Sequence, residues 1–385
     1  MNLQQASASS VSKADERIRE MKSYNHLYEG YISDENIKTA IKNVCKHKTT
    51  RKDFRDLHDN PDKYIEWIRS EAVNFRNSKH TPMHIYDGIQ RKRRTIIVPS
   101  FREQIIHHMV VNVLKPVFLR PMYQHSYGSI PGRGAHLAKK HIEKTIRKGH
   151  DIKYCLKMDI RKYFESIPHD ILKQRLSDLI HDKKFLAILF EIIDVVDEGI
   201  PLGFYTSQWL VNFYLTDLDH YIKEILGAKH YYRYMDDMVI FGSNKRKLHE
   251  MRKAIECELE KNGLKMKDNW QVFRFHYTRN DEDHGRFLDF MGFRFYRNRT
   301  TLRRSIAYKA TRKARSIFKK DKPTIYDIRQ ILLYLGWIDA TDTYGMYLKY
   351  IKPIVDFGKL KKRVSKYDKR RYQNEICEIR ERYPA

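Results

Sequence analysis

Cysteine is scarce in this sequence, and its spacing does nothing to compensate. Cys45, Cys155, Cys257 and Cys377 stand far apart with no Cys-x-x-Cys pair, which argues against both a disulfide framework and a zinc cluster and fits a reducing cytoplasm. Long apolar runs are missing too: nothing approaches the ~18 residues of a membrane span, and the polar opening MNLQQASASSVSK lacks the apolar core of a signal peptide. The chain therefore reads as soluble. No internal repeat occurs, and no low-complexity block beyond the first dozen residues. Acid is the other shortage, with 48 Asp+Glu against 75 Lys+Arg for a formal charge of +27. The basic excess is spread along the chain and follows no single amphipathic helix, which favours a polyanion such as nucleic acid over a membrane surface. With 41% hydrophobic and 12% aromatic residues among 385, there is material for two or three packed domains.

Residues 1 to about 20 are polar and expected to fray. Apolar positions then recur at helical spacing through Tyr24, Leu27, Tyr31, Ile37, Ile41 and Val44. The stretch IYDGIQRKRRTIIVP predicts a basic β-hairpin, with a glycine turn and a β-branched run stopped by Pro99. Helices are predicted over Phe101 to Leu119 and Ala135 to Lys148, with a glycine-containing loop between them. Tyr154 to Ile160 predicts a strand with an acid near its end, followed by helices from Pro168 to Ile180 and from Phe185 to Val196. KHYYRYMDDMVIF, Lys229 to Phe241, predicts a hairpin with two acids at its tip. An amphipathic helix follows over Leu248 to Asn262, then antiparallel strands from Trp270 to Leu302. From Ser305 onward the pattern is helical, interrupted by Pro323 and Pro353. Residues 301–385 carry 22 Lys/Arg against 9 Asp/Glu. Within this basic region Trp337, Tyr344, Tyr347 and Tyr350 recur at roughly helical spacing, which predicts core packing ahead of base stacking.

Three aspartates carry the chemical signal. Asp236 and Asp237 are adjacent inside an apolar strand pair, where two carboxylates are costly unless a cation holds them. Asp159 ends a second β-like run just before a turn. Carboxylates converging from strand ends can bind two Mg2+ ions, which want oxygen ligands and suit nucleotidyl transfer. Taken singly, the pair also reads as a solvated turn and Asp159 as a helix cap.

Four segments, KMDIRKYFESI, GIPLGFYTSQW, YRYMDD and FMGFRF, occur in the order of the palm motifs of reverse transcriptases. Upstream, QRKRRTIIVPSFREQI resembles the fingers hairpin of that family, and HSYGSIPGRGAH the next fingers motif of its bacterial members. The similarity covers about residues 85 to 300. It implies an α+β right-hand polymerase: an N-terminal helical extension over 1–80, fingers over 81–150, palm over 151–285 with fingers elements around 170–200, a connection over 286–304 and a basic helical thumb over 305–385. No endonuclease or RNase H block is expected.

Carried over by motif, Asp159, Asp236 and Asp237 resemble the metal-binding acids, with Ile160 adding its backbone carbonyl. Phe164 resembles the steric gate that excludes a 2'-hydroxyl, although a Phe there is also ordinary core. Lys92 and Arg94 resemble the cations that grip the triphosphate, Leu202 and Gly203 also fall at the dNTP, and Ser207, Gln208, Tyr234, Met235 and Gly292 at the template-primer. Lys265 and Lys267 are near the place of a general acid for pyrophosphate, but neither aligns, and that role stays unassigned.

Most bacterial relatives read QGxxxSP where this sequence has LGxxxSQ, from Leu202 to Gln208. That change and LKMKDNWQVF resemble the reverse transcriptases of diversity-generating retroelements. The resemblance implies error-prone cDNA synthesis opposite template adenines, a template-repeat RNA, and a small, basic, oligomeric accessory variability determinant as partner. Leu202 cannot make the hydrogen bond a glutamine would make near the nascent pair; alternatively it only packs. A retron, intron or phage-defence enzyme is the neighbouring alternative, and a non-catalytic RNA-binding protein on a polymerase fold the distant one.

Overall fold

The computed structural model describes residues 24–46, 48, 52–87 and 92–382, so the polar lead and the tip of the basic hairpin lie outside the described residues. The backbone packs as two units. The first comprises the described residues up to Asp87 with Lys92–Ala138 and His150–Arg274, and the second Lys139–Gly149 with Phe275 onward.

The first unit begins with helices Leu27–Ile32, Asp34–Cys45, Lys52–Asp59 and Pro61–Val73. Ser33 caps the second by accepting from Asn36 N–H, and Pro61 opens the fourth where a missing N–H is harmless. Their apolar faces, including Tyr31, Ile41, Phe54 and Ile68, join one core with the helix Phe101–Leu119. That helix starts on a capping box between Ser100 and Glu103 and buries Ile105, Met109, Val110 and Leu114. Buried Asn36 is satisfied by donating Nδ2 to the carbonyls of Tyr31 and Met109, at 2.9 and 3.1 Å.

Strands β1, Met83–Asp87, and β2, Lys92–Ile96, form the antiparallel basic hairpin. The central sheet is antiparallel, built from β3 (Tyr154–Asp159), β4 (His230–Tyr234), β5 (Asp237–Gly242) and β6 (Gln271–Arg274) in the order β4-β5-β3-β6. The helix Lys245–Lys261 covers it with Leu248, Met251, Ile255 and Leu259. An edge strand offers unpaired amides; on β4 the Arg233 N–H reaches His125 O and the Tyr127 N–H reaches Arg233 O, both at 3.0 Å.

The second unit holds the hairpin β7–β8 (Tyr277–Arg279, Glu282–His284) and a sheet of β9 (Leu288–Phe290), β10 (Phe293–Phe295) and β11 (Thr300–Leu302), ordered β11-β10-β9. Helices Arg304–Phe318, Ile325–Asp339, Tyr344–Tyr350 and Phe357–Arg382 follow. Gaps between them fall at Pro323 and Pro353, as the sequence predicts. The tyrosine ladder does not behave as expected. Trp337 packs on Phe293 with ring centroids 5.0 Å apart, but Tyr344 and Tyr350 are 60% and 41% exposed. The short helix carrying them buries none of its residues, so their helical spacing marks no core face. Among the described residues no helix is long and apolar enough to cross a membrane.

Candidate active site

Asp159 is the last residue of β3 and Asp237 the first of β5, and the antiparallel register pairs them directly. Asp236 sits between, in the two-residue turn that joins β4 to β5, where Tyr234 pairs with Asp237. Its carbonyl accepts from Ile160 N–H at 3.3 Å. The antiparallel pairing of β3 with β5 is what gathers the three acids, 77 residues apart in sequence between Asp159 and Asp236.

Burial, then the nearby charges of Asp159 and Asp237, push the Asp236 carboxyl up to about 7, with Lys267 opposing the rise. Lys267 Nζ donates to Asp159 Oδ1 at 2.5 Å. The backbone places this lysine: Lys267 N–H donates to Asp159 O and Arg161 N–H to Lys265 O, each at 2.8 Å, around the Ile160–Met266 bridge. Among the described residues no three His, Cys, Asp or Glu side chains form a ready-made ligand cage, and here Asp159 already engages Lys267. The donor set still fits a hard divalent cation, because it is all carboxylate oxygen and one ammonium leaves negative charge over.

The other predicted positions, Gly292 apart, fall in the same unit. Phe164 lies half-buried in the short helix Tyr163–Ser166, five residues beyond Asp159, and its carbonyl accepts from Ile200 N–H at 2.6 Å. Leu202 is half-buried, and its carbonyl accepts from Ile97 N–H at 2.8 Å, one residue past β2. Gly203 stands at φ +116°, and a Cβ there would lie 2.1 Å from Ile97 O. The residue pair thus docks onto the base of the hairpin. Within that hairpin Lys92 pairs in register with Asp87 and Arg94 with Ile85; Arg94 is half-buried, and the side chain of Lys92 lies outside the described residues. Ser207 is buried in the helix Tyr205–Tyr214, and its Oγ has no hydrogen-bond partner among the described residues. Gln208 lends its carbonyl to Asn212 Nδ2 at 2.9 Å. Tyr234 and Met235 flank Asp236 in the turn. Gly292 belongs to the second unit, in the β9–β10 turn at φ +86°, where a Cβ would press on Ile306 and Trp337.

Lys267 escaped assignment from sequence, as did the buried pair Arg233 and Asp219 behind the turn. Lys267 meets Asp159 from 108 positions away, and Asp219 reaches Arg233 from the short helix Thr216–His220, so tertiary packing rather than any local pattern brings each pair together.

Comparison with known proteins is consistent with this geometry. An uncharacterized 91 kDa protein in the cob intron of Schizosaccharomyces pombe is 29% identical over 43% of this chain and 21% of its own length. The retron Ec73 reverse transcriptase of Escherichia coli is 29% identical over 38% of this chain and 48% of its own. The group II intron-encoded protein LtrA of Lactococcus lactis is 24% identical over 37% and 25%. Each relative is thus matched over less than half its length. The profile of the family described as reverse transcriptase (RNA-dependent DNA polymerase) matches residues 78–294, more than half of the chain and all of the acids above, so this chain belongs to the reverse transcriptase family.

Proposed function

We propose that this chain polymerises DNA on an RNA template, with Asp159, Asp236 and Asp237 holding two Mg2+ ions and Ile160 adding its carbonyl. The carrying observation is the direct register of Asp159 with Asp237 beside the Asp236 turn, within the family match. Bound there, the cations supply Lewis acidity toward the primer hydroxyl and charge neutralisation at the leaving pyrophosphate. The protein's own part is to hold Asp159 and Asp237 on paired strand ends with Asp236 in the turn beside them, and to keep Lys267 at Asp159, where its charge limits repulsion before the cations arrive. Lys92 and Arg94 grip the triphosphate, Leu202 and Gly203 border the incoming dNTP, and Ser207, Gln208, Tyr234, Met235 and Gly292 contact template and primer. In domain terms, 1–80 is the helical extension, 81–150 fingers, 151–285 palm with fingers elements around 170–200, 286–304 the connection and 305–385 the thumb.

Phe164 is the residue assigned to reject ribonucleotides. Phe164→Ala is expected to reduce dNTP-over-NTP discrimination by about a hundredfold, on the order of 3 kcal/mol. Competitive incorporation on primed RNA measures this, and unchanged discrimination would return Phe164 to the core.

The finer reading is a diversity-generating enzyme that makes adenine-mutagenic cDNA from a template-repeat RNA, working with a small, basic, oligomeric accessory variability determinant in the cytoplasm. Leu202 and Gln208 support it. The matched relatives named for an intron and a retron favour a second reading, an accurate intron- or retron-type enzyme. Sequencing cDNA made on primed RNA with Mg2+ and dNTPs separates the two. Errors concentrated opposite adenine, falling when Leu202→Gln is introduced, support mutagenesis; accurate cDNA from the parent chain supports the second reading. Absence of any cDNA with RNA binding intact would point to a binding protein instead.

A further inference from the structure

The turn that presents Asp236 has a difficult backbone. Met235 is its first central residue, at φ +55°, a position in two-residue hairpins that glycine usually fills when φ is positive there. A side chain in the left-handed region costs about 1–2 kcal/mol. Something must hold Met235 in place, or the carboxylates on either side of Asp236 lose their register.

Directly behind the turn lies Arg233, which is fully buried. Its Nε donates to Asp219 Oδ1 at 2.8 Å and its Nη2 to Asp219 Oδ2 at 2.6 Å, a fork on a fully buried carboxylate. Tyr231 Oη adds a hydrogen bond to Asp219 Oδ1 at 2.7 Å. The remaining arm, Nη1, donates to the carbonyl of Met235 at 3.1 Å and to Asn212 Oδ1 at 3.3 Å. Asn212 in turn donates Nδ2 to Gly128 O at 2.9 Å. Gly128 closes the arrangement, since a Cβ there would stand 2.3 Å from Met235 Cγ. Met235 is therefore fixed at its carbonyl by a guanidinium and at its side chain by a glycine floor.

A buried ion pair is weak support for stability alone, because desolvation consumes most of the attraction. What this pair adds is direction: two arms are locked on Asp219, which aims the third at the Met235 carbonyl. We propose that Arg233, anchored by Asp219, is a positioning residue for polymerisation, holding the left-handed Met235 so that Asp236 and Asp237 face Asp159. The inference rests on the assignment of those acids as the cation ligands.

The experiment uses the full chain on primed RNA, titrated with Mg2+ and dNTPs, alongside thermal unfolding and RNA binding. Arg233→Lys keeps a charge for Asp219 but lacks the fork that also reaches Met235. It is expected to lower kcat about tenfold to a hundredfold, as misplacement by about 1 Å does, and to raise the Mg2+ concentration for half-maximal rate, while RNA binding is unchanged. A loss of folded protein alone would reduce kcat without moving that Mg2+ requirement. Should Arg233→Lys fail to fold, the joint change Arg233→Met with Asp219→Leu removes both charges and leaves neither unpaired; it is expected to fold and stay slow, with the raised Mg2+ requirement. A folded variant of either kind with parental kcat and Mg2+ dependence overturns the proposal, and so does failure of both to fold, which makes the pair a requirement of the fold only. Asp236→Ala in the same assay keeps the two ideas apart. If it polymerises, the ligand assignment is wrong; if it is inactive while Arg233→Lys is fully active, only the positioning role is lost.

Discussion

Asp236→Ala is expected to cut nucleotide incorporation by at least about a thousandfold, roughly 4 kcal/mol in transition-state stabilisation, while RNA affinity stays within about twofold. The asymmetry follows from location. On the proposed function, RNA binding would rest on phosphate contacts spread over many basic residues, whereas Asp236 is one of three acids at a single point on the sheet. Single-turnover extension of a primer on RNA, set beside a binding titration, checks both halves; sustained cDNA synthesis would remove Asp236 from the chemistry.

Asp236→Asn should be just as inactive yet more stable than the parent in metal-free buffer, by on the order of 1–3 kcal/mol at neutral pH. Here the folded-state carboxyl, at about 7, lies above the ordinary value of 3.8. Such a group contributes no penalty below the unfolded value, where it is protonated in both states. The penalty grows as pH rises from about 4 to about 7 and then levels off. The stability advantage of the asparagine variant should follow that window in chemical unfolding, and a gap that stays constant with pH would contradict the assigned burial and repulsion.

Gly203→Ala is expected to be the most damaging small substitution in the first unit. At φ +116° an added methyl meets strain wherever it points, and the carbonyl of Ile97 lies 2.1 Å from its position. Backbone cannot yield as a flexible side chain can, so the cost should be on the order of 3 kcal/mol or more. The Ile97–Leu202 hydrogen bond joins the basic hairpin to the Leu202 segment, and the KM for dNTP should therefore rise together with the loss of stability. Gly30→Ala is the control: nothing lies within 4 Å of its added Cβ, and a helical glycine replaced by alanine should gain up to about 1 kcal/mol. Urea unfolding and dNTP titration of the two variants test this, and a Gly203→Ala protein with parental KM would show that the docking has no bearing on nucleotide binding.

Local structure was legible because its signals are local. The Gly turn and the β-branched run before Pro99 announce the hairpin, the helical spacing of Ile105, Met109, Val110, Val113, Leu114 and Val117 announces the helix Phe101–Leu119, and an aromatic and β-branched run broken by two adjacent acids announces β4 and β5. Tyr344 and Tyr350 show the limit of a local signal. Their spacing describes one side of a helix, but whether that side is covered depends on what packs there, and these two are exposed.

From sequence alone came the strand end carrying Asp159, the hairpin tip carrying Asp236 and Asp237, the steric character of Phe164, and the exchange of a polar for an aliphatic side chain at Leu202, each carried by a few neighbouring residues. Tertiary structure alone decided that Lys267 meets Asp159 across 108 positions, that Leu202 docks on Ile97, and that Arg233 braces the turn in front of Asp236 from Asp219. These depend on strand register and on the path of buried backbone, and a contact between distant residues leaves no periodicity in the sequence between them.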